Sequence, residues 1–267
     1  MTNLIPGFGR ERPVIGVLHL PPLPGSPNYE GHPRQILDRV HTDASALVDG
    51  GVDGILLENF GDTPFYPKRV PRETVAWMTR IGSLVRDRFS VPLGICVLRN
   101  DGRSALAIAH SIDAQFVRVC ILAFPRVTDQ GIIEGIACDL LRDRARLHSS
   151  IKIFADVDIK HSYPLGFGHS IEAEAADLVS RSHADALIVT GAATGAPIDS
   201  SQFAKVRESA DVPVLVGSGV TSQNISVLLK DASGVIVGSA FKRPGGGVDV
   251  DRVRCIVGSI ERKVGSE

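Results

Sequence analysis

Two short segments near the end of the chain carry the strongest chemical signal in the sequence. Val216-Gly217-Ser218-Gly219-Val220-Thr221 and Val237-Gly238-Ser239-Ala240 each close an aliphatic run with small residues. Glycine lets the backbone approach a ligand with no Cβ in the way, and N–H groups freed in such a turn point at an anion. Gly217, Ser218, Gly219, Gly238 and Ser239 are therefore expected to bind phosphate. The plain alternative is a pair of tight turns that need glycine for packing, with Thr221 or Ser222 serving only as a helix cap. A third small and polar segment, Thr190 to Pro197, is too polar for a core. It could line the same ligand through Thr190, Gly191 and Thr194.

Ionisable residues gather at the ends of other aliphatic runs. Asp156 and Asp158 alternate with Ala155 and Val157, so in a strand their side chains share one face, and Lys160 continues the parity. Two carboxylates so placed could hold a divalent metal or split into acid and base by mutual pKa displacement, and Lys160 could neutralise one of them. Glu58 and His19 end two earlier runs, and with the two aspartates they form the expected catalytic set. Asn59, Arg99, Arg118 and Lys160 are expected to bind the rest of the substrate. Arg118, between Val117 and Val119, needs a partner for its charge, and an aspartate across the interior is the candidate. Any one of these residues alone reads as half of a structural salt bridge; together on one face they read as a site.

Other chemistries find less support. His161 and His169 lack an established metal-ligand spacing. An imine-forming aldolase needs a desolvated lysine, and Lys160 and Lys242, the lysines at strand ends, are expected to be solvent-accessible. The Walker and dinucleotide glycine patterns are absent in their full forms. No cofactor is indicated apart from the divalent metal that the aspartate pair leaves open.

The elements that must position these residues alternate regularly. Strand candidates are Pro13–His19, Val52–Glu58, Val91–Leu98, Gln115–Cys120, Ile151–Asp158, Ala186–Thr190, Val212–Gly217 and Gly234–Gly238. They are short and rich in Val, Ile and Leu, as strands buried on both faces should be. Helical segments are predicted at Pro33–Val48, Pro71–Phe89, Gly102–Ser111, Gly131–His148, Ser170–Ser182, Ser200–Ser209, Ser222–Lys230 and Val250–Lys263. The returns from helix to strand are brief, whereas HLPPLPGSPNYEG, ENFGDTPFYPKRV, ILAFPRVTDQG and IKHSYPLGFGHS all leave strand ends. Long ordered connections usually serve function, and here they fall on one end of the sheet. The expected architecture is α/β, a single (β/α)8 TIM barrel over residues 13–267 behind an N-terminal extension of residues 1–12. An open doubly wound sheet explains the alternation but not the paired anion turns.

Composition narrows the class of partner. At 267 residues, with 43% hydrophobic and 22% charged, the chain supports one large core. A net charge of −1 without a basic tract argues against nucleic acid. Cys96, Cys120, Cys138 and Cys255 form no CxxC pair, and Cys96 and Cys120 read as buried reduced thiols. The first residues lack the apolar segment of a secretory signal, and no run is long enough for a membrane span, so a cytoplasmic protein is expected. A homo-oligomer through exposed helices is compatible with these features.

The segments VIGVLHLPPLPGSPNY, GVDGILLENFGDTPF, ADVDIKHSYPLG, LIVTGAATGAPID, VLVGSGVTSQNI and VIVGSAFK together resemble the BtpA family along nearly the whole chain. The resemblance implies a barrel related to the phosphate-binding barrel superfamily. Founding members are associated with photosystem I biogenesis, and SgcQ-like members accompany sugar-uptake genes. Residues and resemblance lead to one expectation, an enzyme on a small phosphorylated metabolite. The ligand would be a sugar phosphate or nucleoside-like phosphate, with isomerase, lyase or glycosyl-transfer chemistry. The alternative is a non-catalytic assembly or stability factor for a protein complex.

Overall fold

In the computed structural model, which describes residues 8–261 apart from 167, 169 and 194, the aliphatic runs become parallel strands. The chain opens with β1 (Val14–His19), α1 (Pro33–Asp49), β2 (Gly54–Glu58), α2 (Arg72–Arg88), β3 (Leu93–Cys96), α3 (Gly102–Ser111) and β4 (Phe116–Val119). It continues through β5 (Arg126–Thr128), β6 (Gly131–Ile133), α4 (Ala137–Arg146), β7 (Lys152–Val157), β8 (Ser162–Pro164) and α5 (Ile171–Ser180). The last third holds β9 (Ala186–Val189), α6 (Ser200–Glu208), β10 (Val214–Val216), α7 (Ile225–Asp231), β11 (Val235–Val237) and α8 (Val250–Glu261). Eight of these strands close in the order β1-β11-β10-β9-β7-β4-β3-β2, the (β/α)8 barrel. Closure pairs every strand on both sides and leaves no edge to template aggregation.

Strand parity divides the core in two. Ile15, Val17, Leu56, Phe116, Phe154, Ile188, Leu215 and Ile236 point inward and fill the barrel. Val14, Leu18, Ile55, Leu57, Val117 and Val119 belong to a separate cluster with the buried helix faces, such as Val40 and Leu47 of α1. The inner layer is crowded: Phe116 and Phe154 stack with centroids 4.6 Å apart. A Cβ at Gly94 would stand 2.2 Å from the Phe116 ring, so only glycine there admits so large a side chain. Helix starts follow local chemistry. Asp101, Ser170 and Asp199 accept backbone N–H bonds from Ser104, Ala173 and Ser201 at 3.0, 3.2 and 2.8 Å.

The loops contain what the sequence pattern did not predict. Gly131, expected to begin a helix, instead opens β6, which pairs antiparallel with β5 in register Arg126↔Ile133. Gly131 has φ +94°, and the Thr128 hydroxyl donates to its carbonyl at 2.9 Å, so the residues that break the helical pattern form a hairpin turn. β8 adds on the other side of β5, making a small sheet β6-β5-β8 from the loops that follow β4 and β7. Arg126–Thr128, Gly131–Ile133 and Ser162–Pro164 lack the Val/Leu/Ile run that marks the equally short β10 and β11, and tertiary pairing makes them strands. The sheet is anchored by Arg126, only 1% exposed, which bonds Asp158, the Ser162 hydroxyl at 3.1 Å and Glu174 at 3.3 Å. Its outer side shows Val127, Ile132 and Tyr163, with Leu165 just beyond β8. Among the described residues no helix is long and apolar enough to cross a membrane.

Removing a buried cation that serves two carboxylates costs about 3–5 kcal/mol. Arg126→Ala is therefore expected to lower the unfolding free energy by about that amount in a urea titration. A loss of under about 1 kcal/mol would mean the sheet does not depend on that arginine.

Candidate functional site

A cavity of about 470 Å³ opens where the barrel strands end, a size suited to a small ligand. His19 ends β1, Glu58 ends β2 and Arg118 stands within β4, and all three reach its wall. Arg99 and Lys160, just beyond β3 and β7, join them, and the turns Gly217–Thr221 and Gly238–Ala240 form the opposite side. In the barrel order β10 and β11 lie across from β3 and β4, so the glycine turns face the arginines.

The glycine turns are built by contact as well as by freedom. Gly219 has φ +70°, and a Cβ there would meet the Pro197 Cα at 2.4 Å. A Cβ on Gly238 would lie 2.9 Å from His19 Cε1. The Ser218 hydroxyl accepts the Gly191 N–H at 2.6 Å and donates to the Ala196 carbonyl at 3.1 Å. It ties two loops together and has little capacity left for a ligand. The backbone is different. Among the described residues, the N–H groups of Ser218, Gly219, Val220, Ser239 and Ala240 have no hydrogen-bond acceptor, and all five residues line the cavity. Unpaired amides in a concave wall are what an oxyanion requires.

Next to the Gly238 turn the β1–β2 register sets His19 beside Glu58, with Nε2 3.5 Å from a carboxylate oxygen. Burial alone would push the Glu58 carboxyl up. The hydrogen bond and charge of His19, then Arg118 and Lys160, outweigh it and bring the pKa from the ordinary 4.5 to about 2. His19 Nδ1 is buried without a partner among the described residues, and the ring centroid lies 4.6 Å from that of Phe60. Arg118 is held by Asp156 through two bonds of 2.8 and 2.9 Å and lies 3.8 Å from Glu58. Burial opposes its charge, but Asp156 and Glu58 keep its pKa well above the usual value.

A model of the BtpA family matches residues 10–262. The chain belongs to the BtpA family. It is 45% identical over 250 residues to a protein of Thermococcus kodakarensis, covering 92% of this chain and 94% of that one. It is 44% identical over 244 residues to the photosystem I biogenesis protein BtpA of Synechocystis, covering 91% of this chain and 85% of that one. Its fold is similar to that of thiamine phosphate pyrophosphorylase from Pyrococcus furiosus, with a TM-score of 0.58 and 16% identity. That match covers 96% of this chain and 98% of the other.

Within this BtpA-family barrel, several residues singled out in the sequence stand elsewhere. Asp156 and Asp158 do not share a face. Asp158 lies past the end of β7 with φ +47°, which breaks the two-residue alternation, and its carboxylate turns to Arg126. The Asp156 side chain is 0% exposed and committed to Arg118, so the expected pair of aspartates at the cavity becomes two separate ion pairs. Arg118 therefore finds its aspartate on the neighbouring strand, β7, rather than across the interior. Among the described residues no three His, Cys, Asp or Glu side chains come together to hold a metal. Asn59 is buried, accepting the Leu98 N–H at 2.7 Å and donating to Asp62 at 3.1 Å, and it braces a loop rather than the cavity. Thr190 and Gly191 also stay off the cavity wall, while Thr194 and His169 lie outside the described residues.

Lys160 corrects the expectation in the other direction. It is half-buried on the cavity wall, and burial, followed by the charge of Arg118, lowers its pKa. Lys242, also half-buried, is lowered chiefly by burial and places its ammonium 5.6 Å from the centre of the Phe60 ring. The pattern passed over Phe60, Phe65 and Cys120 as cavity-lining residues. Only Cys120 was legible, because it shares the inward parity of Arg118 two residues earlier. A hydrogen bond with Cys96 lowers the Cys120 thiol and raises that of Cys96.

Because the folded pKa of Glu58 lies below its ordinary 4.5, the carboxylate contributes stability above that pH and loses it as the pH falls toward about 2. Glu58→Gln is expected to be less stable at pH 7 by on the order of 3 kcal/mol. It should also show a flatter stability curve than the parent between pH 4.5 and 2. Urea titrations across that range check both, and identical slopes would remove Glu58 as a source of acid sensitivity.

Proposed function

We propose that this protein is an enzyme acting on a small phosphorylated metabolite, a sugar phosphate or nucleoside-like phosphate. The five backbone N–H groups of the two glycine turns that have no acceptor among the described residues carry this reading. They would accept the phosphate oxygens and leave the rest of the ligand facing His19, Glu58 and Arg118. The Pyrococcus furiosus barrel with the same fold is named for a phosphate ester, which agrees with the reading.

At the reacting end, His19 is the proton carrier. Its Nε2 faces the Glu58 carboxylate, which orients the ring, while Nδ1 has no competing partner among the described residues. Arg118 offers charge to a developing oxyanion, and Asp156 serves as the residue that positions Arg118. Proton transfer on a bound phosphate ester covers isomerase and lyase chemistry, and protonation of a leaving group covers glycosyl transfer.

Thermal unfolding with inorganic phosphate and a panel of sugar and nucleoside phosphates tests the site. A true ligand should stabilise by about 2.7 kcal/mol at one hundred times its Kd. His19→Gln should keep the stabilisation by inorganic phosphate and lower turnover of any active panel member by about 10²- to 10⁴-fold. Failure of every phosphate to stabilise the protein would overturn the reading.

A second reading, a non-catalytic assembly factor, is favoured by the outer side of the β6-β5-β8 sheet. There Tyr163 is 76% and Ile132 55% exposed. Apolar side chains grouped on the surface mark protein contact, and the Synechocystis relative is named for photosystem I biogenesis. In this reading Tyr163→Glu with Ile132→Glu abolishes association with a partner in co-purification, and His19→Gln does not. The reverse outcome favours the enzyme.

A further inference from the structure

Among the described ionisable residues on the cavity wall, Glu58 is the single carboxylate, standing with His19, Arg99, Arg118, Cys120, Lys160 and His161. That carboxylate is engaged by His19, and Arg118 is matched by Asp156. Arg99 is not matched. It is only 7% exposed, and no carboxylate of the described residues lies within ion-pair distance of its guanidinium. One of its nitrogens donates to the Lys160 carbonyl at 2.7 Å, and its Nε makes no hydrogen bond. A carbonyl dipole does not neutralise a buried full charge, and a cation left so is costly to folding unless a ligand completes it. The Lys160 ammonium likewise has no carboxylate at ion-pair distance among the described residues. Burial, then the charge of Arg118, lowers its pKa, as crowding among cations requires.

Arg99 is also held in place. Its backbone N–H bonds the Tyr66 carbonyl at 3.0 Å while its head group is tethered to the loop carrying Lys160. A fixed fork of donors is the form in which arginine recognises carboxylate or phosphate. The position completes the picture, because Arg99 follows β3 and β3 stands across the barrel from β10, whose following turn holds the unpaired amides.

We infer that the ligand carries two separated oxyanions: a phosphate in the glycine turns, and a carboxylate or second phosphate bound across the cavity by Arg99 with Lys160. This rests on the phosphate reading above and narrows it. Neutral-ended phosphates such as simple sugar monophosphates are then poor ligands. The substrate class is phosphorylated acids and bisphosphates.

Matched ligands test it in calorimetric titrations of the full chain. Glycerol 3-phosphate is compared with 3-phosphoglycerate, and sorbitol 6-phosphate with 6-phosphogluconate. Ribulose 1,5-bisphosphate and fructose 1,6-bisphosphate supply the second-phosphate arm, and inorganic phosphate is the reference. At least one doubly anionic ligand is expected to bind tenfold or more tightly than its singly anionic counterpart. The arm in which the gain appears names the second oxyanion. Arg99→Gln should abolish the gain and leave the affinity for inorganic phosphate within about twofold, since it removes only the far contact. Arg99→Lys, which keeps the charge, should retain part of the gain and serves if the glutamine variant does not fold. Monophosphates that bind without any tenfold gain, a gain that survives Arg99→Gln, or a gain that Arg99→Lys leaves undiminished overturns the second anion alone. Absence of binding by inorganic phosphate and every ester overturns the phosphate reading and this one with it.

Discussion

Arg118 carries a full charge into the inner layer of a closed barrel, and the cavity end of the molecule is arranged around keeping that charge compensated. Asp156, on the neighbouring strand, gives it two bonds, and Glu58 approaches from the other side. The pairing takes the Asp156 carboxylate out of contact with any ligand. It also helps hold Glu58 ionised beside His19. Breaking a buried pair at this depth would cost about 3–5 kcal/mol, a large share of what such a fold has in reserve, and that favours the strand register that brings these side chains together. A chain of compensated charges thus runs from β7 through β4 and β2 to β1 and delivers a histidine with a free nitrogen to the cavity.

A second arginine performs the same service outside the barrel. Arg126 is buried beneath the small sheet that grows from the loops after β4 and β7, and it collects Asp158, Glu174 and Ser162. This explains why Asp156 and Asp158, two residues apart, have different fates. The left-handed backbone at Asp158 turns its carboxylate out of the strand's alternation, and each aspartate answers its own arginine. The contrast gives Arg99 its meaning. It is as buried as Arg118, yet among the described residues no carboxylate answers it.

In the glycine turns, the residues proposed to recognise a ligand are also residues that packing requires. Gly219 is required because the chain at Ala196 and Pro197 leaves no room for a Cβ, and Gly238 because the His19 ring lies against it. Those close approaches hold the turns in a shape that leaves neighbouring amides without partners. The Ser218 hydroxyl, the group that looks most suited to hold a ligand, is spent on fastening the loops. The phosphate reading therefore depends on the backbone rather than on the side chain that the motif advertises.

The sequence by itself determined the barrel and singled out the end at which its cavity opens. Strands buried on both faces must be aliphatic runs, and alternation with helices leaves parallel closure as the arrangement that buries all of them. It also marked Gly217–Gly219, Gly238, His19, Glu58, Arg99, Arg118 and Lys160, because polar or small residues at the ends of such runs have few structural reasons to be there. Tertiary structure alone decided the partners. Whether a carboxylate meets a ligand or an arginine depends on strand register and on one left-handed residue, and neither has a local signature. The β6-β5-β8 sheet was invisible because β5 and β6 form a hairpin with no aliphatic run to mark it, and β8 joins only through pairing from a loop far along the chain. Periodicity records which way a side chain points, and only closure of the barrel sets what stands opposite it.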